Sequence, residues 1–432
     1  MKAAKHPGRP APLQRLLQRA QLLWRLVVFG LLDGIAARWP VRAVSDGVVV
    51  VRLDAIGDFV LWLRSARHLR ALYPGQRIVL VANSLWADLA RQLPYWDQVI
   101  PVQVERLDSD IAYRWQTMHR VRRLGLATAL QPTRYRLIFS GDAVVRATGA
   151  RQRIGGADGD NAMSARLKRI ADRWYTRLIA DGAPDLTELA HNHQFLQGLG
   201  WPEPELRPYR LPQVAELPLA LQPQRAYFIV FPGASWSGRQ WPTRQFARLI
   251  ADICADRRML PVLCGSAQER ALCADIAANA GVATINLAGQ TSLAQLCELV
   301  RGASFLVGNE TSAVHIAAAV GTPSVCLLGG GHFGRFVPYP AQAPGLSPHA
   351  VYAPMPCFGC GWACHLPHQP GQAMACVAAI SKDAVLGAIA LALASSACTA
   401  ANGTPGTSDV LQAAVADPPQ HGIGPGAAQD ML

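Results

Sequence analysis

Charge is scarce in this chain: only 16% of its residues are Asp, Glu, Lys or Arg, while half are hydrophobic. So apolar a chain can bury large cores, which excludes global disorder. Long continuous apolar runs are also missing. A membrane-spanning helix needs roughly 18 or more such residues. The two uncharged runs of that length, 311–334 and 384–408, are broken by His315 and Gly321-Thr322-Pro323 or turn polar after Leu393. The stretch 26–32 is short and lies between Arg25 and Asp33, so no transmembrane helix is expected. No Walker A loop and no G-x-G-x-x-G fingerprint occurs, since Gly329-Gly330-Gly331 opens into His332-Phe333-Gly334 rather than a helix. Zinc-finger spacing and aromatic-basic single-strand platforms are absent, which argues against a nucleic-acid partner. The N-terminus shows no secretory signal pattern. The ten cysteines do not form a disulfide framework. Cys254, Cys264, Cys273, Cys297 and Cys326 lie in apolar runs where buried thiols are ordinary, and the expected compartment is the cytoplasm.

What is present is basic. The formal charge is +12, with Lys2, Lys5, Arg9, Arg15, Arg19 and Arg25 crowded near the N-terminus. Such an excess suits phosphorylated substrates or anionic lipid. The 432 residues fit two domains with extensions. Residues 1–45 read as a basic extension, loose to about residue 12 and then helical over 13–39. Its apolar stripe fits either a helix packed on the next domain or one lying on a membrane surface, and packing is favoured.

From residue 46 strands and helices alternate. Strands are expected at 47–53, 77–82, 98–102 and 135–140 (YRLIFS), which gives a first α/β domain over 46–210. Six prolines between Trp201 and Pro223 mark a boundary, with 211–224 as linker. The pattern restarts over 225–395, with strands at 227–231, 260–264, 283–287, 305–308 and 324–328 and helices between them. From residue 396 an Ala/Gly/Pro/Ser-rich disordered tail is expected. The fold class is therefore α/β, two consecutive doubly wound parallel sheets, with ligands expected at strand ends.

Three strand-to-helix turns carry polar chemistry. The first, Arg52-Leu53-Asp54-Ala55-Ile56-Gly57-Asp58, offers a tight turn at Gly57 and a carboxylate at Asp58, which a helix cap alone would also explain. The second, Phe231 to Pro242, is a Gly/Ser-rich loop holding Gly233, Ser235 and Arg239; its N–H groups and guanidinium suit phosphate oxygens. The third, Val307 to His315, ends a strand and opens a small-residue helix whose N-terminus favours an anion. There Thr311 and Ser312 add hydroxyls, Glu310 suits a ribose, and His315 lies within reach of a diphosphate; a capped core helix with an internally satisfied His315 is the plainer alternative. Asp108-Ser109-Asp110 and Asp158-Gly159-Asp160 read as turns rather than metal sites.

Together these turns resemble glycosyltransferase family 9, the heptosyltransferases and their relatives. The likeness covers roughly Gly47 to Ile389 through VVRLDAIGDFVL (50–61), RQRIGG (151–156), FPGASWSGRQWP (231–242) and LVGNETSAVHIAAAVGTPSVCLLG (306–329). It implies the GT-B architecture, two facing Rossmann-like domains with parallel sheets. It also implies inverting transfer without a catalytic metal, from a nucleotide-sugar donor such as ADP-heptose. By the same resemblance Asp58 is the general base and Arg239, where the family often has Lys, neutralises the departing diphosphate. Asp54, Gly57, Gly233, Ser235, Glu310, Thr311, Ser312 and His315 would line the donor site. Glu310 replaces a more usual Asp, which bears on which nucleoside is accepted. The implied acceptor is a phosphorylated lipid-linked glycan of the lipopolysaccharide core, with the enzyme cytoplasmic or peripheral on the inner face of the plasma membrane. A protein acceptor, a non-catalytic scaffold and a nucleotide-sugar epimerase are the alternatives.

Cys357, Cys360, Cys364 and Cys376 give C-x2-C-x3-C-x11-C. A pair of thiolates two residues apart chelates well, and four complete a tetrahedral site. CFGCGWAC resembles the version in relatives of autotransporter heptosyltransferases, some of which bind iron. A structural zinc or iron and a set of reduced thiols stand as equal readings.

Overall fold

A computed structural model describes residues 12–402 except 42–43, 158–162, 181, 183–185, 204–207 and 341–345. The Asp158–Asp160 turn, the segment 1–11 and the tail from 403 lie outside the described residues.

The first sheet contains β1 (Ser45–Arg52), β2 (Arg77–Asn83), β3 (Gln98–Val102), β4 (Leu126–Gln131), β5 (Gln152–Gly156) and β6 (Arg177–Ile179), all parallel and ordered β3-β2-β1-β4-β5-β6. The second contains β7 (Tyr227–Phe231), β8 (Leu260–Leu263), β9 (Ile285–Asn286), β10 (Leu306–Asn309), β11 (Ser324–Leu327) and β12 (His349–Val351), ordered β12-β11-β10-β7-β8-β9. Counted within its own half, each sheet runs 3-2-1-4-5-6, the Rossmann order, so strand order reverses between β1 and β4 and again between β7 and β10. β1, buried from Gly47 onward, and β10, buried throughout, read as continuous apolar runs because helices cover both faces of their sheets.

Two expectations are corrected. Residues 135–140 are not a strand. The fourth strand is Leu126–Gln131, and Ile138–Asp142 forms a π-helical turn. The reason is local: Arg136 is fully buried and pairs with Asp142 (3.2 Å), which curls the segment back on itself. The tail does not begin at residue 396, because one helix runs Lys382–Asn402, its first turns packed on β11 and β12.

The N-terminal helix forms as expected, over Pro12–Arg38. It packs on the helices Ile111–Arg122 and Ala143–Thr148 of the first domain. Phe29, Asp33 and Ala36 are buried in that contact, and Arg114 donates to both Asp33 oxygens at 2.9 and 2.5 Å. One helix thus passes straight through Arg25 and Asp33. By length and composition alone its Ala20–Arg38 portion is long and apolar enough to cross a membrane. The two charges that interrupt the apolar run, Arg25 and Asp33, are paired with Asp108 and Arg114.

Candidate functional site

Both strand-order reversals point at one place. The turn after β1 leads into the helix Ile56–Ala66, and the turn after β10 leads into the helix Ser312–Val320. These helices pack against each other across the two domains. Gly57 explains how closely. A Cβ there would lie 3.3 Å from His315 Cδ2 and 3.6 Å from Ser312 Cα, so the glycine makes room for the opposite domain.

Asp58 is the third residue of its helix and does not cap it, since the N-cap position is Ala55 and no side chain bonds there. The helix end therefore leaves the carboxylate free for other work. It is half-buried, and burial, followed by the nearby Asp54 and Glu188 charges, pushes its pKa up to about 8, against the pull of Arg52 and Arg335. Arg52, with no exposed surface, organises this corner. Its Nε donates to Asp54 (3.1 Å), its Nη1 to Asn192 Oδ1 (2.9 Å), and its Nη2 to Glu188 Oε1 (3.2 Å) and the Asp58 carbonyl (3.2 Å). Asp54 is thus bound to a cation of its own domain; burial raises its pKa to about 6 although Arg52 opposes this.

On the second domain the loop after β7 closes on the end of β10. Asn309, fully buried, donates to the Pro232 carbonyl (2.7 Å) and accepts from the Trp241 amide (3.0 Å), fixing both ends of the loop. Within it Ser237–Arg239 makes a short 3-10 turn. Arg239 Nη2 reaches the Glu310 carboxylate (2.9 Å) and carbonyl (3.0 Å), and Nη1 reaches Ser235 Oγ (3.2 Å). Its Nε is buried with no partner, as is Glu310 Oε1. A guanidinium and a carboxylate that each keep one buried atom unspent are half-satisfied and open to a ligand that offers both an anion and a hydroxyl. Burial brings the Glu310 pKa up to about 7, with Arg239 opposing. Gly233 serves packing, since a Cβ there would meet the Glu269 carboxylate at 1.8 Å.

Thr311 is the N-cap of the Ser312–Val320 helix and accepts from the Ala313 amide at 3.4 Å. Ser312, at the first helical position, is half-buried against Gly57. His315 is buried, hydrogen-bonded through Nδ1 to the Tyr339 hydroxyl (2.8 Å) and stacked on that ring. Burial lowers its pKa to about 3, so the imidazole is neutral; any contact it makes with a phosphate is a hydrogen bond and not an ion pair.

Four residues here were not singled out from sequence. Glu188 and Arg52 are 136 positions apart, and no local pattern joins them. Arg335 sits in the loop after β11, its guanidinium over Tyr135 (4.1 Å) and Phe336 (4.4 Å), while its carbonyl accepts from the Glu188 amide at 2.9 Å across the domains. Its charge acts on both Asp58 and Glu310. Asn309 was visible only as a polar residue ending an apolar strand.

Cys357, Cys360, Cys364 and Cys376 line one small cavity together with Gly330, Trp362 and Met374. Among the described residues no group of His, Cys, Asp or Glu stands close enough to hold a metal ion. The loop is tied to the second domain by amides: Gly359 to the Gly330 carbonyl (2.8 Å), Gly361 to the Gly331 carbonyl (3.0 Å) and Gly330 to Cys376 Sγ (3.5 Å). Trp362, in the left-handed region at φ 68°, places its ring under Arg239 at 5.1 Å.

Known proteins resemble this chain in family and in fold. Residues 139–361 match the family model for glycosyltransferase family 9 (heptosyltransferase). Lipopolysaccharide heptosyltransferase 1 of Pseudomonas aeruginosa is 24% identical over 290 residues, 65% of this chain and 78% of the relative. The structure of the E. coli ADP-heptose lipopolysaccharide heptosyltransferase II superposes with a TM-score of 0.58 at 19% identity, covering 81% of this chain and 98% of that one. The iron-containing dodecameric heptosyltransferase TibC in complex with ADP-D-β-D-heptose gives a TM-score of 0.50 at 14% identity, covering 82% and 78%. At these identities the structural likenesses establish the two-domain GT-B fold, and the family model, spanning more than half of the chain, goes further: this chain belongs to glycosyltransferase family 9, and it is a glycosyltransferase.

Proposed function

We propose that the enzyme transfers heptose, or a closely related sugar, from an ADP-sugar to a lipopolysaccharide core or another cell-surface glycan, inverting the anomeric centre. One observation carries the reading: Asp58 follows Gly57, which touches Ser312 and His315 of the second domain, and Arg335 acts on Asp58 as well as on Glu310, which with Arg239 forms a pair in which each partner keeps a buried atom unspent. In the reaction the acceptor hydroxyl oxygen bonds to the anomeric carbon and its proton passes to the Asp58 carboxylate. The bond from that carbon to the diphosphate oxygen breaks, and the nucleotide leaves as an anion. Arg239, with Arg335 nearby, offsets the charge that develops on the diphosphate. Glu310 Oε1 accepts from a ribose hydroxyl, and the N-terminus of the Ser312–Val320 helix, with Thr311 and Ser312, holds phosphate oxygens. Heptosyltransferase relatives whose names specify lipopolysaccharide, and a fold neighbour named for ADP-heptose, support this choice of donor and acceptor. A thermal-shift series with ADP, UDP, GDP and their sugars tests the donor. The largest stabilisation is expected with ADP forms, and a preference for UDP or GDP would remove the heptosyl reading.

A second reading, a protein acceptor of the autotransporter kind, draws on the four thiols gathered around one cavity and on the fold shared with the iron-containing TibC. In it Cys357, Cys360, Cys364 and Cys376, which line one cavity but do not stand at ligand spacing here, would draw together on a structural zinc or iron. Four sulfurs suit either metal, which would brace the loop under Trp362 and take no part in transfer. Metal analysis of wild type beside Cys357→Ser and Cys360→Ser decides it. About one metal per chain in wild type alone is expected, and metal-free wild type would leave only reduced thiols.

A further inference from the structure

The Pro12–Arg38 helix is apolar on two sides, and only one of them is covered. Leu22, Leu26, Phe29, Asp33 and Ala36, spaced by four and three residues, face the first domain. The opposite stripe, Leu23, Trp24, Val27, Leu31 and Ile35, follows helical spacing too, and its Leu23, Val27 and Leu31 are between 63% and 67% exposed. Single exposed leucines need no explanation, but a continuous stripe of more than three turns does.

The charges and rings around the helix point to the partner of its open side. Leu22 and Leu26 pack with Leu167 and Ala171 of the helix Ala165–Asp172. On that helix Arg166 and Arg169 are exposed, as is Arg173 at its end. Trp24 and Trp39, partly exposed near either end of the stripe, have the amphipathic rings that settle at a bilayer interface. We propose that this face lies flat on an anionic lipid surface, the stripe entering the headgroup-acyl boundary and the arginines binding lipid phosphates.

A second copy of the chain fits the face less well, because self-association would bring two arginine-bearing helices together. Spanning the bilayer fits less well again. It would tear Asp33 from the fully buried Arg114 and leave both charges unpaired. The placement also has a use. The middle of the helix adjoins Phe139, in the segment that follows β4, with the Phe29 ring 5.9 Å away and Arg25 over the Phe139 ring at 4.5 Å. The surface therefore extends toward the strand ends that bear the site, where a lipid-linked acceptor would arrive.

The full chain floated with vesicles of phosphatidylethanolamine containing phosphatidylglycerol tests the proposal. Binding to these vesicles and not to phosphatidylcholine is expected, falling at high salt. Val27→Glu with Leu31→Glu should weaken it by at least about tenfold, and Arg166→Gln with Arg169→Gln should weaken it and reduce its salt sensitivity. Melting temperature and ADP affinity should stay at wild-type values in both, since the four side chains are exposed and remote from the site. Three results would overturn the proposal: no binding by wild type, binding that survives alkaline carbonate extraction, or a wild-type dimer that Val27→Glu dissociates.

Discussion

At the scale of single residues, Asp58 sets the pH behaviour. A general base must be ionised, and burial with two neighbouring carboxylates holds this one near pKa 8 in the free enzyme. Deprotonation is therefore complete only above that value, and kcat/KM should be lost as pH falls through about 8. Glu188→Gln removes one of the like charges and should move this limb to lower pH. An unchanged limb would detach Glu188 from the titration. Arg239 makes a separate claim. Arg239→Gln strips a charged contact from the departing diphosphate and should lower kcat by roughly 10²-fold or more. Arg239→Lys should recover part of that, because a point charge replaces the charge but not the fork. Equal losses in both variants would mean that the guanidinium's geometry, and not its charge, is what matters.

At the scale of elements, two contacts can be tested. Gly57 lets the Ile56–Ala66 and Ser312–Val320 helices touch. Alanine meets His315 Cδ2 at 3.3 Å, a contact that a small shift relieves, so Gly57→Ala should remain active. Leucine needs more room than such a shift gives. Gly57→Leu should separate the domains and lower kcat about 10²-fold, since a displacement near 1 Å is enough for that, while ADP still binds; wild-type kcat in this variant would show that the contact is not made in the active form. The N-terminal helix rests on the Asp33–Arg114 pair. Asp33→Ala leaves Arg114 buried without its carboxylate and should destabilise the first domain by about 3–5 kcal/mol in urea denaturation. A cost below 1 kcal/mol would mean that the helix is not docked as described.

At the scale of the whole molecule, the site exists only because two sheets of the same winding face each other. Much of that was legible. Strands such as Gly47–Arg52 are Val-rich and buried, and the three chemical turns follow β1, β7 and β10, where polar and small residues break apolar runs. The misread strand shows why the rest was not. Leu126–Gln131 (LATALQ) has weaker strand character than 135–140 (YRLIFS), yet the buried Arg136–Asp142 pair outweighs local propensity in the second segment. The cluster around Arg52 was hidden for a different reason: Glu188 and Asn192 reach it from a helix more than 130 positions away, through folding alone. Arg335 gave no signal, because a lone arginine in a loop looks like a solvated one until Tyr135 and Phe336 are seen to pack on it.

The central claim is that Asp58 takes the acceptor proton while the second domain holds the nucleotide. The most direct test is one paired measurement on Asp58→Ala: sugar transfer from ADP-heptose, and ADP affinity by calorimetry. Turnover should fall by about 10²–10⁴-fold while ADP affinity stays close to wild type. Normal transfer by Asp58→Ala would contradict the account.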